Sequence, residues 1–259
     1  MAKVLGESGR FATQEADTQR YRILLRLIVM MVVVGVILGL NLSFVIPLSW
    51  LPTWGRLIVQ ALTIVLMVFV SKWSFRRLDQ LEKNRQNWQR GAKGENIVGE
   101  KLTNFPDDFC VINDLTTPFG NLDHVVIGPT GVYVLDAKSW RGIVASDGKG
   151  ELLLNGQPTD KQQVRQFVGR IMSIKEKVRI LAPGLDPFYQ PAFVFTSARV
   201  EAKWGTTGSV HCVTDDYLYE YIVEKKFGTR LKPHEVQAIA QAFLGLAHMD
   251  REFASTKQR

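Results

Sequence analysis

Residues 27–46 form an apolar run of twenty residues that contains no charged side chain. A helix of about 20 apolar residues is long enough to cross the hydrocarbon core of a bilayer. A second run of the same length, residues 54–73, carries only Arg56 and Lys72, which lie near its ends, where long basic side chains reach the lipid headgroups. The connection between the runs is too short to form a domain. The sequence therefore predicts a transmembrane helical hairpin over residues 27–73.

Two alternatives to a membrane hairpin fit the first run less well. A cleaved signal peptide has a shorter apolar segment, and no alanine stands between Ala16 and Ala61 to form its cleavage site. A packed hairpin of core helices is the other alternative, although an uncharged run of this length is typical of a membrane span.

Basic residues are concentrated on the two flanks of the apolar runs. Residues 1–26 hold five Lys and Arg and residues 71–93 hold seven, whereas the connection between the runs has only Arg56 beside it. This bias places both flanks in the cytoplasm. We therefore expect an integral protein of the bacterial inner membrane whose soluble domain lies in the cytoplasm. From residue 94 onward, 19 basic residues stand against 20 acidic ones, so the net charge of +7 reflects the lipid-facing flanks and does not indicate nucleic-acid binding.

Residues 121–140 have the pattern of a β-hairpin, with two strands rich in β-branched residues around a Gly-Pro-Thr-Gly turn at 128–131. If the turn is centred on its Pro-Thr step, the two residue numbers in each cross-strand pair add up to 259. This register places Asp123 directly opposite Asp136, and the alternation of side chains puts Lys138 on the same face. The hairpin therefore predicts a cluster of two acids and one lysine at the end of an apolar stripe.

Two carboxylates on opposed strand positions lie about 5 Å apart, and at an effective dielectric of about 20 their repulsion costs about 3 kcal/mol. A bound cation, protonation of one acid or the Lys138 ammonium could relieve this repulsion. A divalent metal held by Asp123 and Asp136 suits phosphodiester hydrolysis, because the metal polarises the phosphate and activates water while a nearby lysine offsets developing charge. The alternative is a pair of solvent-facing acids in a polar edge hairpin, which the apolar residues on the same face disfavour.

Three motifs follow one another in this part of the chain: Gly-Ala-Lys-Gly-Glu at 91–95, Leu-Asp-His-Val-Val-Ile-Gly-Pro-Thr-Gly-Val-Tyr at 122–133 and Asp-Ala-Lys at 136–138. On these motifs, residues 91 to about 200 resemble the NERD (nuclease-related) domain, a branch of the PD-(D/E)xK, restriction-endonuclease-like superfamily. The last motif matches the (D/E)xK element, with Asp136 where related domains more often carry Glu.

The resemblance implies a role for each of four charged residues. Asp123 and Asp136 would be metal ligands, and Lys138 would be the catalytic lysine. Glu95, from the preceding helix, would be a further acid that acts as a metal ligand or as a base. The implied cofactor is Mg²⁺ or Mn²⁺.

The resembled family also carries a glutamine at the start of the helix that follows the hairpin. Either Gln162 or Gln163 matches it here. The spacing of Thr159 and Gln162 is that of a capping box, which predicts a helix that opens there and continues through Leu181. If Gln162 caps the helix, Gln163 is the freer of the two to act.

The pattern along the rest of the chain predicts the order helix, three strands, helix, strand. This order matches the α-β-β-β-α-β core of the resembled superfamily, an α/β fold with a mixed sheet, here preceded by a two-helix transmembrane hairpin. The predicted segments are a cytosolic N-terminal segment at 1–26, the transmembrane hairpin at 27–73, a charged helical linker at 74–90, the NERD nuclease-like domain at 91–249 and a tail at 250–259.

The combined prediction is a membrane-anchored, metal-dependent nuclease whose partners are nucleic acid and the lipid bilayer. DNA is preferred over RNA on the resemblance alone, since the near-neutral domain supplies no charge argument. A different class of function is a non-catalytic nuclease-like module that binds nucleic acid or protein at the membrane, and a third is a membrane scaffold. Gly35 and Gly39 form a Gly-x-x-x-Gly pattern, which permits a homo-oligomer through the membrane helices.

Overall fold

A computed structural model describes residues 1–41, 52–159, 161–201, 209–224 and 230–256. The chain divides into two compact units. The first unit contains Met1–Phe11 and Arg90–Arg259, and the second contains Ala12–Gln89. Most of the second unit belongs to two long helices, α1 (Arg10–Asn41) and α2 (Thr53–Thr103).

The structure supports one of the two predicted membrane helices. Among the described residues, the one helical segment long and apolar enough to cross a membrane, by length and composition, is Leu57–Thr103. Among its described side chains, none in the most apolar window is buried within the chain. Residues 42–51 lie outside the described residues. They include the end of the other predicted span, 27–46, and most of the predicted connection. The predicted charged linker at 74–90 is part of α2.

The first unit is built on a six-stranded sheet with the order β1-β2-β3-β4-β8-β10. Its strands are β1 (Lys3–Leu5), β2 (Cys110–Thr117), β3 (Gly120–Gly128), β4 (Gly131–Lys138), β8 (Tyr189–Phe195) and β10 (His211–Thr214). Strands β2, β3 and β4 pair antiparallel, whereas β1, β8 and β10 each pair in parallel with a neighbour. The sheet is therefore mixed, and the predicted α/β class is confirmed.

A smaller sheet has the order β7-β6-β5-β9 and is formed by three strands between β4 and β8 in the chain and one strand after β8. Its strands are β5 (Gly142–Ser146), β6 (Leu152–Leu154), β7 (Gln157–Pro158) and β9 (Ala198–Val200). The remaining helices are α3 (Gln163–Leu181), α4 (Pro233–Thr256), a 3₁₀ turn at Asp215–Tyr217 and a π-helical turn at Glu220–Glu224. Apart from the small sheet, the order α2, β2, β3, β4, α3, β8 is the predicted one.

Helices cover both faces of the large sheet, because alternate side chains of its central strands are apolar on each side. One face packs against α3 and α4, where the buried ring of Phe193 stacks on Phe167 with 5.1 Å between ring centroids. The other face packs against the C-terminal part of α2, where Val98 and Leu102 are fully buried, and against the turns after β10. Burial on both faces leaves the strand ends as the places where polar side chains can collect.

The β3–β4 hairpin has the predicted register. The pairs Ile127↔Val132 and His124↔Leu135 both sum to 259, and Gly128 lies opposite Gly131 at the turn. Gly131 has φ 131°, a conformation that glycine adopts without strain. Gly128 is required for another reason, because a Cβ at this position would collide with the ring of Phe109.

Gly128→Ala is therefore expected to destabilise the first unit by about 2 kcal/mol, the typical cost of forcing an extra methyl group into a packed core. The measurement is the thermal unfolding midpoint of the variant against the parent. Gly169→Ala is the matched control, since a Cβ there meets nothing within 4 Å in helix α3 and should leave stability unchanged or slightly higher. Equal midpoints for Gly128→Ala and the parent would contradict the packing described here.

Helix α3 does not begin as predicted. The capping box expected at Thr159–Gln162 is wrong, because the helix starts at Gln163 and the Gln162 side chain makes no capping hydrogen bond. Glu151, which lies outside the helix, provides the cap instead. Its carboxylate accepts hydrogen bonds of 3.0 Å from the amides of Val164 and Arg165. A carboxylate at this place satisfies two free amides and favours the helix dipole.

Candidate active site

Asp123 lies where the hairpin ladder ends. The last backbone pair is His124↔Leu135, and one further step in the same register brings Asp123 opposite Asp136, as predicted. Here the half-buried Asp123 side chain takes the place of a backbone acceptor. Its Oδ2 accepts a 2.8 Å hydrogen bond from the amide of Ala137. The carboxylate is thereby held against the end of β4.

Asp136 and Lys138 form an ion pair on β4. Lys138 Nζ lies 2.6 Å from Asp136 Oδ1, and the two side chains are only 17% and 20% exposed. The ammonium also lies over the Phe193 ring, 5.4 Å from its centroid. Burial opposes the charge of Lys138, but the attraction of Asp136 and Asp123 outweighs burial and raises the pKa of Lys138. The lysine therefore stays protonated and neutralises part of the negative charge around it.

Glu95 brings a third carboxylate to the same place from helix α2. Its side chain is 8% exposed, and its Oε2 has no hydrogen-bond partner within the described residues. Burial, followed by the charges of Asp114 and Asp136, raises the pKa of Glu95 to about 7, although its carboxyl accepts a bond from the amide of Gly9. A buried acid with an unpaired oxygen and a raised pKa marks a place where negative charge is in excess.

The pKa of Asp123 reports the same excess of charge. Burial raises this pKa well above its usual value, and the charges of Asp136 and Glu95 raise it further. Lys138 and the amide of Ala137 act in the opposite direction without cancelling the shift. The structure thus brings together four predicted site residues, namely Glu95, Asp123, Asp136 and Lys138.

Asp114 is a fourth acid near this cluster, and the sequence patterns did not single it out. It is buried on β2 and has φ 51°, a left-handed conformation that Asp tolerates better than most residues. In the β2–β3 ladder it occupies the position opposite Asp123, where the otherwise regular pairing is interrupted. Its two oxygens accept bonds from the amide of Phe11 at 2.6 Å and from Asn121 Nδ2 at 2.8 Å. A tight turn centred on residues 118–119 places Asp114 opposite Asp123, so the sequence contains a signal for this position.

The N-terminal eleven residues contribute to the site as well. Strand β1 pairs in parallel with β2, and the segment that follows it supplies the amides of Gly9 and Phe11 to Glu95 and Asp114. The sequence patterns gave no sign that the N-terminal segment joins the domain that starts near residue 90. A short parallel edge strand is set by partners about a hundred residues away, so no local pattern could have indicated it.

The two candidate glutamines occupy different environments. Gln163 is the first residue of α3 and is half-buried, whereas Gln162 is exposed and its Oε1 lies 3.5 Å from Arg165 Nη1. In the part of the chain that the structure describes, neither side chain hydrogen-bonds to the carboxylate cluster. A role for either residue stays a prediction.

His124, the neighbour of Asp123, points to the opposite face of the sheet and is fully buried. Its Nδ1 lies 2.8 Å from Asn113 Oδ1. Burial lowers the pKa of His124 to about 3, so the ring is neutral at physiological pH. Its surroundings are those of a core histidine and not of a catalytic base.

The arrangement of the carboxylates bears on metal binding. Among the described residues, no three His, Cys, Asp or Glu side chains already stand in the geometry of a metal site. The donor set itself is suitable, because carboxylate oxygens are the preferred ligands of Mg²⁺ and Mn²⁺. Glu95 has an unpaired Oε2, and burial together with neighbouring acids raises the pKa of Asp123.

A model of the family described as the nuclease-related domain, NERD, matches residues 90–196. This stretch, which is less than half of the chain, is similar to that domain. The match begins in α2 shortly before Glu95, ends at the residue after β8, and contains all six predicted site residues. The resemblance inferred from the sequence motifs is thereby confirmed for these residues. Neither a curated protein nor a solved structure matches the chain.

The NERD domain does not account for the whole site. Asp114 lies inside the matched range, but the segment that binds it, Met1–Phe11, lies outside the range, as does helix α4. The carboxylate cluster of the NERD domain is therefore completed by a segment from the other end of the chain.

Proposed function

We propose that the chain is a membrane-anchored nuclease that hydrolyses phosphodiester bonds with the help of a divalent metal, with DNA rather than RNA as its substrate. One observation carries the proposal: three carboxylates and one lysine of a nuclease-related domain converge at the end of a hairpin, where burial, together with the charges of neighbouring acids, raises the pKa values of Asp123 and Glu95. Several buried carboxylates can be ionised together at low cost only beside a cation.

Each residue of the cluster has a distinct task in this proposal. Asp123 and Asp136 would hold Mg²⁺ or Mn²⁺, and Glu95 would add a third oxygen or accept a proton from the attacking water. When bound, the metal supplies Lewis-acid polarisation of the phosphate. Lys138, kept protonated by Asp136, would stabilise the negative charge that develops on the phosphate oxygens.

The membrane anchor is proposed from helix composition. The apolar part of α2 exposes side chains such as Leu62, Val65 and Phe69, which a bilayer would cover. Basic residues on both flanks of the predicted hairpin would keep the nuclease-related domain in the cytoplasm of a bacterial cell. A Cβ at Gly35 or Gly39 meets nothing within 4 Å, so this glycine face is open for packing against a second copy.

The direct test is cleavage by the full-length protein in lipid nanodiscs. We expect cleavage of plasmid or linear duplex DNA in Mg²⁺ or Mn²⁺, and loss of cleavage in EDTA with recovery when metal is restored. Single-stranded DNA and a duplex RNA of the same sequence establish the substrate class. Absence of cleavage of every substrate, in every metal, would contradict the proposed activity.

A second function is favoured by the Asp136–Lys138 ion pair. Lys138 Nζ lies 2.6 Å from Asp136 Oδ1 and so already neutralises one of the predicted metal ligands. A binding module that holds no metal could retain this ion pair. Such a module would bind nucleic acid or a protein at the membrane without cleaving it. Binding of DNA that is unaffected by EDTA, together with no cleavage, would favour this function.

A further inference from the structure

Arg170 of helix α3 lies close to the carboxylate cluster, and neither the motifs nor the proposed mechanism uses it. Its Nη1 donates a 2.8 Å hydrogen bond to the backbone oxygen of Asn121, and its guanidinium lies against Gly120, where an added Cβ would be 3.4 Å from Nε. Asn121 precedes Asp123 by two residues on β3. Two residues along a strand correspond to about 7 Å, so Arg170 is anchored about 7 Å beyond the acid.

Arg170 is half-buried, and within the described residues no carboxylate lies within ion-pair distance of it. Arginine is mostly exposed in proteins, and burial of its charge is unfavourable unless a partner compensates. An arginine has five N–H donors, and one of them is used by Asn121. The remaining donors can therefore bind an anion that approaches the cluster.

Helix α3, which carries Arg170, packs against the sheet beside the cluster. Phe167, one turn earlier on α3, stacks on Phe193, and the Lys138 ammonium lies over that same ring. Arg170 and Lys138 therefore both lie on the side of the sheet that α3 covers. Two cations beside acids suit an anionic ligand.

We propose that Arg170 binds a backbone phosphate next to the scissile one and so sets the position of the nucleic-acid strand over Asp123 and Asp136. A guanidinium fork matches two oxygens of a phosphate, which a lysine cannot do. The inference rests on the proposed function. Arg170 is a positioning residue, distinct from the groups that would perform the chemistry.

The test combines DNA binding and cleavage by the full-length protein in nanodiscs of neutral phosphatidylcholine. Binding of a fluorescein-labelled duplex is followed by anisotropy in Ca²⁺ from 50 to 300 mM NaCl, and cleavage of the same duplex is followed in Mg²⁺. For Arg170→Gln we expect about a tenfold rise in KM with a smaller change in kcat. Loss of one phosphate contact should also reduce the slope of log affinity against log salt by about 0.9.

Two further variants separate a phosphate contact from a structural role. Arg179→Gln removes an exposed arginine from the far end of the same helix and should behave as the parent. Arg170→Lys keeps the positive charge but loses the two-pronged guanidinium. The slope of log affinity against log salt should therefore stay as in the parent, while KM rises several-fold. If Arg170→Gln fails to fold, Arg170→Lys decides alone.

Parent-like KM and salt slope in Arg170→Gln, or a parent-like KM in Arg170→Lys, would overturn the inference while leaving the nuclease proposal standing. A parent protein that binds DNA without cleaving it would overturn the nuclease proposal, and the salt slope would still decide the role of Arg170. A parent that neither binds nor cleaves would overturn both.

Discussion

Asp136→Asn is expected to lower metal-dependent cleavage on the order of 10³-fold, the loss typical of removing one essential electrostatic group from an active site. The substitution keeps the shape of the side chain but removes its charge. Without that charge, a metal held with Asp123 loses a ligand, and Lys138 loses the partner that lies 2.6 Å from its ammonium. Two functions of the site therefore fail together, so kcat should fall more than KM rises.

Initial cleavage rates of the full-length variant and parent, at saturating Mg²⁺, measure this effect. Asp108→Asn is the matched control, because Asp108 is an exposed acid outside the cluster and its variant should cleave as the parent does. Thermal unfolding of both variants establishes that they are folded. Cleavage by Asp136→Asn within about tenfold of the parent would remove Asp136 from the proposed mechanism.

Glu95→Gln is expected to stabilise the metal-free protein by about 3 kcal/mol at pH 8, although most substitutions of buried residues destabilise. Burial and the neighbouring charges of Asp114 and Asp136 raise the pKa of Glu95 to about 7, from 4.5 in an unfolded chain. A raised pKa in the folded state means that folding favours the protonated form. Its contribution to stability is present below pH 4.5 and is lost as the pH rises through 7. Gln resembles the protonated acid at every pH.

Urea unfolding of the EDTA-treated protein at pH 4.5 and at pH 8 measures this effect. The variant should be the more stable protein at pH 8, and the difference should shrink towards pH 4.5. Glu100→Gln, an exposed position on the same helix α2, should show no such pH dependence. Addition of Mn²⁺ should reverse the order, because a metal bound by the folded state stabilises the parent more than the variant. A destabilised Glu95→Gln at pH 8 without metal would contradict the electrostatic account of the site.

The hairpin and most of the site could be predicted because their causes are local. Side chains alternate strictly along a strand, so the position of one turn determined that Asp123 faces Asp136 and that Lys138 shares their side. Glu95 was found through a motif at the start of the matched domain, and the structure places it beside the hairpin acids.

The remaining parts of the site depend on contacts between distant residues. Helix α3 begins at Gln163 because the carboxylate of Glu151, which precedes β6 and β7, caps it, and this cap outweighs the local capping pattern. Arg170 reaches Asn121, 49 positions earlier in the chain, through the packing of α3 on the sheet. Asp114 is aligned by the amide of Phe11, 103 positions away. Pattern reasoning over a short window has no access to such pairings.

Metal binding tests the central claim most directly, because the cluster is proposed to exist for a cation. We expect calorimetric titration of the full-length protein with Mn²⁺ at pH 7 to show binding with release of protons, since Glu95 is partly protonated at that pH and carboxylates bind metal in the ionised form. Heats measured in two buffers of different ionisation enthalpy give the number of protons released. Asp123→Asn should bind Mn²⁺ at least about tenfold more weakly and Asp108→Asn as the parent does. Equal affinity in the parent and Asp123→Asn, or no binding by the parent, would contradict the account.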